Sequence, residues 1–103
     1  MNFITSKKEY QEVYARHSKK HGEFFTFLIH EIPEDTFSAG IIVSKRVGKA
    51  VKRNKVKRRV RAYLRELGSQ LPKKRKIVII AKPQAGLASW QEIKKDLDNY
   101  FIQ

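Results

Sequence analysis

The sequence of 103 residues contains no cysteine, which excludes disulfide bonds, thiolate metal sites and a cysteine nucleophile. It also lacks any run of about 18 consecutive apolar residues, the minimum for a membrane-spanning helix. The first residues show no basic segment followed by a long apolar stretch, so no signal peptide is expected. These absences predict a soluble protein with no segment that spans a membrane, and we expect it in the cytoplasm.

Acidic residues are scarce, with 10 Asp and Glu against 23 Lys and Arg, and the formal net charge is +13. Between residues 36 and 91 the only carboxylate belongs to Glu66. Asp96 and Asp98 follow the pattern of a surface helix, where they would offset neighbouring lysines. Because a metal-dependent nuclease needs clustered carboxylates, the sequence does not support cleavage by the protein itself.

The histidines and Gly48 do not form a catalytic, metal-binding or phosphate-binding motif. His17 and His21 stand four residues apart and would face one ligand only if a helix continued through both, and Gly22 indicates that the helix frays there. His30 alternates with large apolar residues, which is typical of a half-buried histidine in a strand. Gly48 lacks the glycine partners of a phosphate-binding loop. The sequence therefore predicts a binding protein with no catalytic residue and no metal ligands of its own.

Basic charge is concentrated in one segment, because eleven basic residues and no acidic residue lie from Lys45 to Arg65. Such a field implies a polyanionic partner, either nucleic acid or an anionic membrane surface. The segment also carries apolar residues near helical spacing, at Val47, Val51, Val56, Val60, Tyr63, Leu64 and Leu67. This narrow stripe predicts a helix that packs on a core, and it is too small for a membrane-surface helix.

Capping residues and hydrophobic periodicity predict six elements in the order α-β-β-α-β-α. Ser6 with Glu9, and Ser89 with Glu92, have the spacing of capping boxes at helix starts, and Gly68 is suited to end the basic helix. The first two strands are expected to pair as an antiparallel hairpin, and the third to be covered on both faces. The first and the basic helix are predicted over 7–18 and 51–67, and the strands over 24–32, 37–44 and 77–81. A final amphipathic helix follows Ser89, with apolar residues at Trp90, Ile93, Leu97, Tyr100 and Phe101.

The basic helix presents a row of hydrogen-bond donors. Arg53, Lys57 and Arg61 stand at i, i+4 and i+8, and Asn54 and Arg58 flank them. Such a row suits the phosphates and 2′-hydroxyls of structured RNA, or a DNA groove. A helix-turn-helix DNA-binding protein fits less well, because strands flank this helix and no short turn joins it to a preceding helix.

The basic segment resembles the Arg-Asn-Arg signature of the protein subunit of bacterial ribonuclease P. The form S-K-K/R-x-G-x-A-V-x-R-N-x-x-K-R-x-x-R is matched from Ser44 to Arg61. Weaker similarity at residues 10–14, in the strand over 77–81 and in the last helix extends the resemblance over nearly the whole chain. Lys55 stands in place of the second signature arginine, which keeps the charge and loses the bidentate geometry.

The resemblance implies an α+β fold, namely a two-layer α/β sandwich similar to domain 2 of ribosomal protein S5, in one domain over residues 1–103. It also implies a left-handed βαβ crossover around the basic helix, against the general right-handed rule.

In function, the resemblance implies that an RNA subunit holds the Mg²⁺ and removes the 5′ leader of precursor tRNA. The implied partners are ribonuclease P RNA and precursor tRNA, and the oligomeric state stays open. A ribosomal protein or an RNA chaperone without a role in cleavage is the alternative that the charge and fold also suit.

The resemblance further assigns roles to individual residues. Tyr10, Tyr14 and Phe25 are implied to bind the leader in a cleft between the first helix and the sheet, although both tyrosines also fit a packing stripe. The basic N-terminal arm common in the family is nearly absent and Leu28 replaces a frequent cleft tyrosine, so weaker leader binding is expected. The residues implied to contact the catalytic RNA are Lys45, Arg46, Lys49, Lys52, Arg53, Asn54, Lys55, Lys57, Arg58 and Arg61.

Overall fold

The computed structural model describes residues 2–102, which form a five-stranded mixed sheet with helices on both of its faces. No helix in this part of the chain is long and apolar enough to cross a membrane. Short 3-10 turns cover Lys45–Val47, Gly68–Gln70 and Pro83–Leu87. The elements are β1 (Asn2–Phe3), α1 (Lys7–Ala15), β2 (Ser18–His21), β3 (Phe25–Glu31), β4 (Phe37–Ile42), α2 (Ala50–Leu67), β5 (Arg75–Ala81) and α3 (Trp90–Phe101).

The strand order in the sheet is β1-β4-β5-β3-β2, with β5 at the centre. Ile77, Val78 and Ile79 of β5 are fully buried, which confirms the prediction of a strand covered on both faces. β4 pairs with β5 in parallel, so β4, α2 and β5 form a βαβ unit. The left-handed sense of this crossover stays a prediction from the resemblance, as does the extent of one domain over residues 1–103.

The predicted hairpin between the first two long strands is wrong. β5 inserts between β3 and β4, and pairs antiparallel with β3 and parallel with β4. Because β5 is apolar on both faces, a central position buries it more completely than an edge would. β3 forms its hairpin with β2 instead, a strand whose polar, exposed residues gave no strand signal.

Helix α1 ends at Ala15, before the predicted end at residue 18. Ser6 caps its start, as predicted, by accepting a hydrogen bond from the Glu9 N–H at 3.2 Å. The His17 ring caps its end, because Nδ1 lies 2.9 Å from the Val13 carbonyl oxygen and 3.2 Å from that of Tyr14. The chain then extends into β2, so His17 and His21 do not share a helix face.

The sheet packs against helices on both sides through alternating residues. Phe27 and Ile79 point into the main core with α2 and α3, whereas Leu28 and Val78 point to the other face, under Val13 of α1. The α+β class is therefore confirmed. The two-layer description holds for the sheet with α2 and α3, and α1 adds a partial third layer.

The prediction that Asp96 and Asp98 lie on the surface to offset lysines is wrong. Asp96 is only 5% exposed, and its carboxylate accepts the backbone N–H groups of residues 23–25 at 2.7–3.1 Å. Asp98 accepts a 2.6 Å hydrogen bond from the hydroxyl of Tyr63. Burial raises the pKa of Tyr63, and this hydrogen bond adds to the increase. A buried carboxylate is tolerated where N–H donors replace its hydration, and Asp96 has three.

Candidate RNA-binding surface

Helix α2 turns its basic side to solvent. Its buried stripe of Val56, Val60, Tyr63 and Leu64 faces the core, and 3.6 residues per turn place Arg58 on the opposite side. Most of the predicted RNA contacts are exposed on this side or in the preceding turn. The exposed ones are Lys45, Arg46, Lys49, Lys52, Asn54, Lys55, Arg58 and Arg61, and the half-buried ones are Arg53 and Lys57.

No carboxylate neutralises this surface within residues 2–102. The ion pairs in that range join Lys76 to Glu9 at 3.5 Å and to Glu12 at 3.6 Å, which fastens α1 to the sheet. The cationic groups of α2 therefore remain available to an anionic partner. Guanidinium and ammonium groups in such a position bind phosphate oxygens through charge-assisted hydrogen bonds.

The predicted row of Arg53, Lys57 and Arg61 is less uniform than its spacing suggested. Each step of four residues advances the position around the helix by about 40° beyond a full turn, so the row drifts across the surface. At one end Arg61 is exposed; at the other Arg53 is half-buried, and its Nε is buried without a hydrogen-bond partner among the described residues. Arg61 is therefore better placed than Arg53 to reach a partner directly.

The side chain of Arg61 connects the basic surface of α2 with the surroundings of α1. Its guanidinium lies 5.6 Å from the ring centre of Phe3 in β1, and that of Arg65 lies 5.9 Å from the same ring. Burial is the main cause that raises the pKa of the Tyr10 hydroxyl, and the neighbouring Tyr14 adds to it, whereas the charge of Arg61 lowers it. The basic surface thus extends around the β1 edge toward Tyr10.

A second candidate surface lies on the sheet face that carries α1, where Tyr10, Ile42 and Ile80 pack on the smaller core; we call it the cleft, and Tyr10 and Tyr14 form its wall. Their ring centres are 6.2 Å apart with planes inclined at 33°. Tyr10 packs directly over β4 at Gly40, where a Cβ atom would lie 2.6 Å from the tyrosine ring. Tyr14 is 46% exposed, so its ring is accessible to a ligand.

Four residues that sequence reasoning did not single out for this site form the cleft floor. Ile42, Ile80 and Thr26 are aligned across β4, β5 and β3, and all three are half-buried. His21 continues the row in β2, with Nδ1 3.3 Å from the Thr26 hydroxyl. The grouping depends on strand register, and the only signal in the sequence was the two-residue alternation between Thr26 and Leu28.

The structure does not bring Phe25 to this cleft, which corrects its assignment as a leader-binding candidate. Its side chain is fully buried in the core with α2 and α3, on the opposite face of the sheet. Leu28 does lie on the cleft side, but α1 covers it and it is 5% exposed. The absence of a tyrosine there therefore concerns a covered position.

The donor set of the protein does not fit a hydrolytic magnesium site. Among residues 2–102, no three His, Asp or Glu side chains are grouped so that they could hold a metal ion. The carboxylate of Asp96 is occupied by backbone N–H groups, that of Asp98 by Tyr63, and those of Glu9 and Glu12 by Lys76. The arrangement offers cations and aromatic rings, which are binding groups.

A central mixed sheet, an outward basic helix and a partly exposed aromatic pair describe a small α+β protein whose surface offers binding groups for a polyanion such as nucleic acid. The family model for ribonuclease P matches residues 1–103. The chain therefore belongs to the ribonuclease P protein family.

Relatives and solved structures agree with this assignment. The ribonuclease P protein component of Syntrophomonas wolfei is 33% identical over 93 residues, which cover 90% of this chain and 78% of that protein. The one from Leuconostoc mesenteroides is 36% identical over 95 residues, or 91% of this chain and 82% of that protein.

The RNase P protein of Staphylococcus aureus superposes with a TM-score of 0.87 at 28% identity, covering 94% of this chain and 89% of that one. The RNase P protein of Thermotoga maritima, at 24% identity, shares the fold with a TM-score of 0.86, covering 95% and 93%.

Proposed function

We propose that this chain is the protein subunit of a ribonuclease P ribonucleoprotein, an endoribonuclease of tRNA processing, and that α2 binds its RNA subunit. The observation that carries the proposal is the exposed basic face of α2, which has the family signature and no carboxylate paired to it within the described residues. Phosphate contacts from such a face supply affinity and fix the orientation of the protein on the RNA.

The cleft between α1 and the sheet binds the single-stranded 5′ leader of precursor tRNA. Single-stranded RNA is held by stacking of bases on aromatic rings, with cations nearby for the phosphates. Tyr14 offers an exposed ring, Tyr10 lies beside it, and Arg61 supplies positive charge at the same end of the cleft.

The Mg²⁺-dependent hydrolysis of the leader takes place on groups of the RNA subunit, in the cytoplasm. The occupied carboxylates described above support this division of labour. The protein contributes fixed positive charge, which replaces part of the diffuse counterion atmosphere of the folded RNA. Family membership favours this function over a ribosomal protein or an RNA chaperone, which would share the charge without the signature.

Reconstitution with a bacterial ribonuclease P RNA tests the proposal on precursor tRNA. We expect the protein stripped of RNA to cleave nothing, and the RNA with protein to reach half-maximal cleavage at a lower Mg²⁺ concentration than the RNA alone. Site-specific cleavage at the mature 5′ end by RNA-free protein, or an unchanged Mg²⁺ requirement, would overturn the proposal.

The position of the charge is tested by Arg58→Ala on α2. Loss of a charge-assisted contact should weaken binding to the RNA subunit by about 1 to 3 kcal/mol. Lys73→Ala is the matched control, because it removes the same charge from an exposed turn outside the signature surface. Titration of both variants against labelled RNA measures the difference. Equal losses would mean that only the net charge of the protein matters.

A further inference from the structure

A hollow lies between α2 and the start of α3, on the outer side of the basic helix. It is a shallow, open depression of about 460 Å³. Arg58 separates it from a second hollow that includes Arg61 on the side of the cleft. We call it the α2–α3 hollow; it is lined by Lys55, Arg58, Arg59, Ala62 and Trp90.

The aromatic wall of the α2–α3 hollow is held in place by the fold. Trp90 is the first residue of α3, directly after the capping box in which Ser89 and Glu92 bond each other's backbone N–H groups at 3.1 and 2.9 Å. Its ring is half-buried against the main core. Arg59 donates a 3.0 Å hydrogen bond to the Ala88 carbonyl, which fixes the adjacent wall.

The exposed part of the Trp90 ring is not used by other aromatic or cationic groups among residues 2–102. The cations found over rings in that range lie on Phe3 and Tyr100, and the ring pairs join phenylalanines and tyrosines. Lys55 and Arg58 are exposed at the rim of the hollow. The Trp90 indole is held in place, lies beside the apolar Ala62 and has cations at the rim around it. Such a site suits a flat group that carries negative charge at its edge.

We propose that the α2–α3 hollow binds one unpaired base of the RNA that α2 contacts. The base stacks on Trp90, and Lys55 and Arg58 bind the phosphates on either side of that nucleotide. The inference rests on the proposed function and deepens it, because it gives the basic helix a base-stacking subsite in addition to phosphate contacts. A purely double-helical RNA offers no base for this subsite.

The natural fluorescence of the protein reports on this contact, because Trp90 is its only tryptophan. The full chain is titrated with a bacterial ribonuclease P RNA, and with a fully paired RNA duplex as the reference. We expect the RNA subunit to quench the Trp90 emission, and the duplex to bind through its phosphates with little quenching. If both RNAs bind and neither changes the Trp90 emission, the proposed subsite is wrong. An emission that changes with protein concentration alone assigns the hollow to a second copy of the chain and also overturns it.

Substitution of Trp90 measures the contribution to affinity. Trp90→Leu keeps an apolar side chain but removes the stacking surface, and should raise the dissociation constant for the RNA subunit about tenfold. Trp90→Phe should retain most of the affinity, because it keeps an aromatic ring for stacking. Leu87→Ala is the control, since it removes an exposed apolar side chain three residues away, outside the hollow.

The outcomes separate the subsite from the proposed function. If Trp90→Leu binds like the unchanged protein while Arg58→Ala binds weakly, the subsite is wrong and the proposed function stands. If the unchanged protein does not bind the RNA subunit at all, the proposed function itself fails. Circular dichroism checks the folding of each variant, and where Trp90→Leu is unfolded, the fluorescence comparison between the two RNAs decides.

Discussion

Tyr10 and Tyr14 lie one helical turn apart on α1, yet their surroundings differ. Tyr10 is wedged over Gly40 and partly buried, so its ring contributes to the packing of α1 on the sheet. Tyr14 is almost half exposed, and its ring centre lies 6.2 Å from that of Tyr10. A substitution at Tyr14 therefore removes a binding group and costs less buried apolar contact than one at Tyr10 would.

Tyr14→Ala is expected to weaken leader binding selectively. Stacking on one aromatic ring contributes about 1 to 3 kcal/mol per base, so the holoenzyme should bind precursor tRNA with a leader of several nucleotides less tightly by that amount. Binding of mature tRNA and assembly with the RNA subunit should be nearly unchanged. A variant that melts at the normal temperature and binds the leader normally would remove Tyr14 from the site.

At the scale of the elements, the turn of the β2–β3 hairpin is held by side chains of residues that follow β5 in the chain. Asp96 of α3 accepts the N–H groups of residues 23–25, the Lys82 ammonium donates to the Gly22 carbonyl at 2.6 Å, and Gln84 donates to the Glu23 carbonyl at 2.9 Å. The same hairpin carries His21 and Thr26 of the cleft floor. α3 thus positions one side of the proposed leader-binding cleft without facing it.

Asp96→Ala is expected to lower the free energy of unfolding by about 2 to 4 kcal/mol, because it leaves buried N–H groups without an acceptor. Asp96→Asn keeps one carbonyl oxygen as an acceptor, so it should lower the free energy of unfolding by about half as much. Asp98→Ala is the comparison, since it leaves one donor, the Tyr63 hydroxyl, without its acceptor instead of three N–H groups, and should cost about 1 kcal/mol. Urea denaturation followed by circular dichroism measures all three. Equal midpoints for Asp96→Ala and the unchanged protein would contradict the role of this carboxylate.

Elements with a strong internal pattern could be predicted from the sequence. α2, α3 and β5 follow their predicted bounds closely, because each has a hydrophobic period or run and a local cap such as Gly68. β2 could not be predicted, since Ser18–His21 is polar throughout and is a strand only because β3 offers it a free edge. Strand order also escaped prediction, because the central place of β5 follows from packing on both faces.

The candidate site also has one part that could be predicted from the sequence and other parts that could not. The basic face of α2 could be predicted, since its residues are close in sequence and lie on one helix. The cleft floor and the α2–α3 hollow could not, because each brings together residues from separate elements, such as Ile42 with Thr26 or Lys55 with Trp90. The buried role of Asp96 was hidden for the same reason: its partners lie more than 70 positions away.

At the scale of the whole molecule, the two candidate surfaces lie on opposite faces of the sheet and meet at one edge. α2 covers the face with the main core, and α1 covers the other. Arg61 reaches around the β1 edge, since it contacts Phe3 and its charge acts on Tyr10. RNA bound to α2 and a leader bound beside α1 would therefore approach each other at this edge, where Arg61 can serve both.

The salt dependence of binding should distinguish the two surfaces. Each phosphate neutralised by a Lys or Arg releases condensed counterions, so the logarithm of the binding constant falls linearly with the logarithm of the salt concentration. Arg58→Ala should reduce the steepness of this line for the RNA subunit by about 1, because one phosphate contact is lost. Tyr14→Ala should lower the affinity for leader-bearing precursor tRNA equally at all salt concentrations, because stacking releases no counterions. Titrations from low to moderate salt measure both slopes, and a changed slope for Tyr14→Ala with an unchanged one for Arg58→Ala would reverse the assignment of the two surfaces.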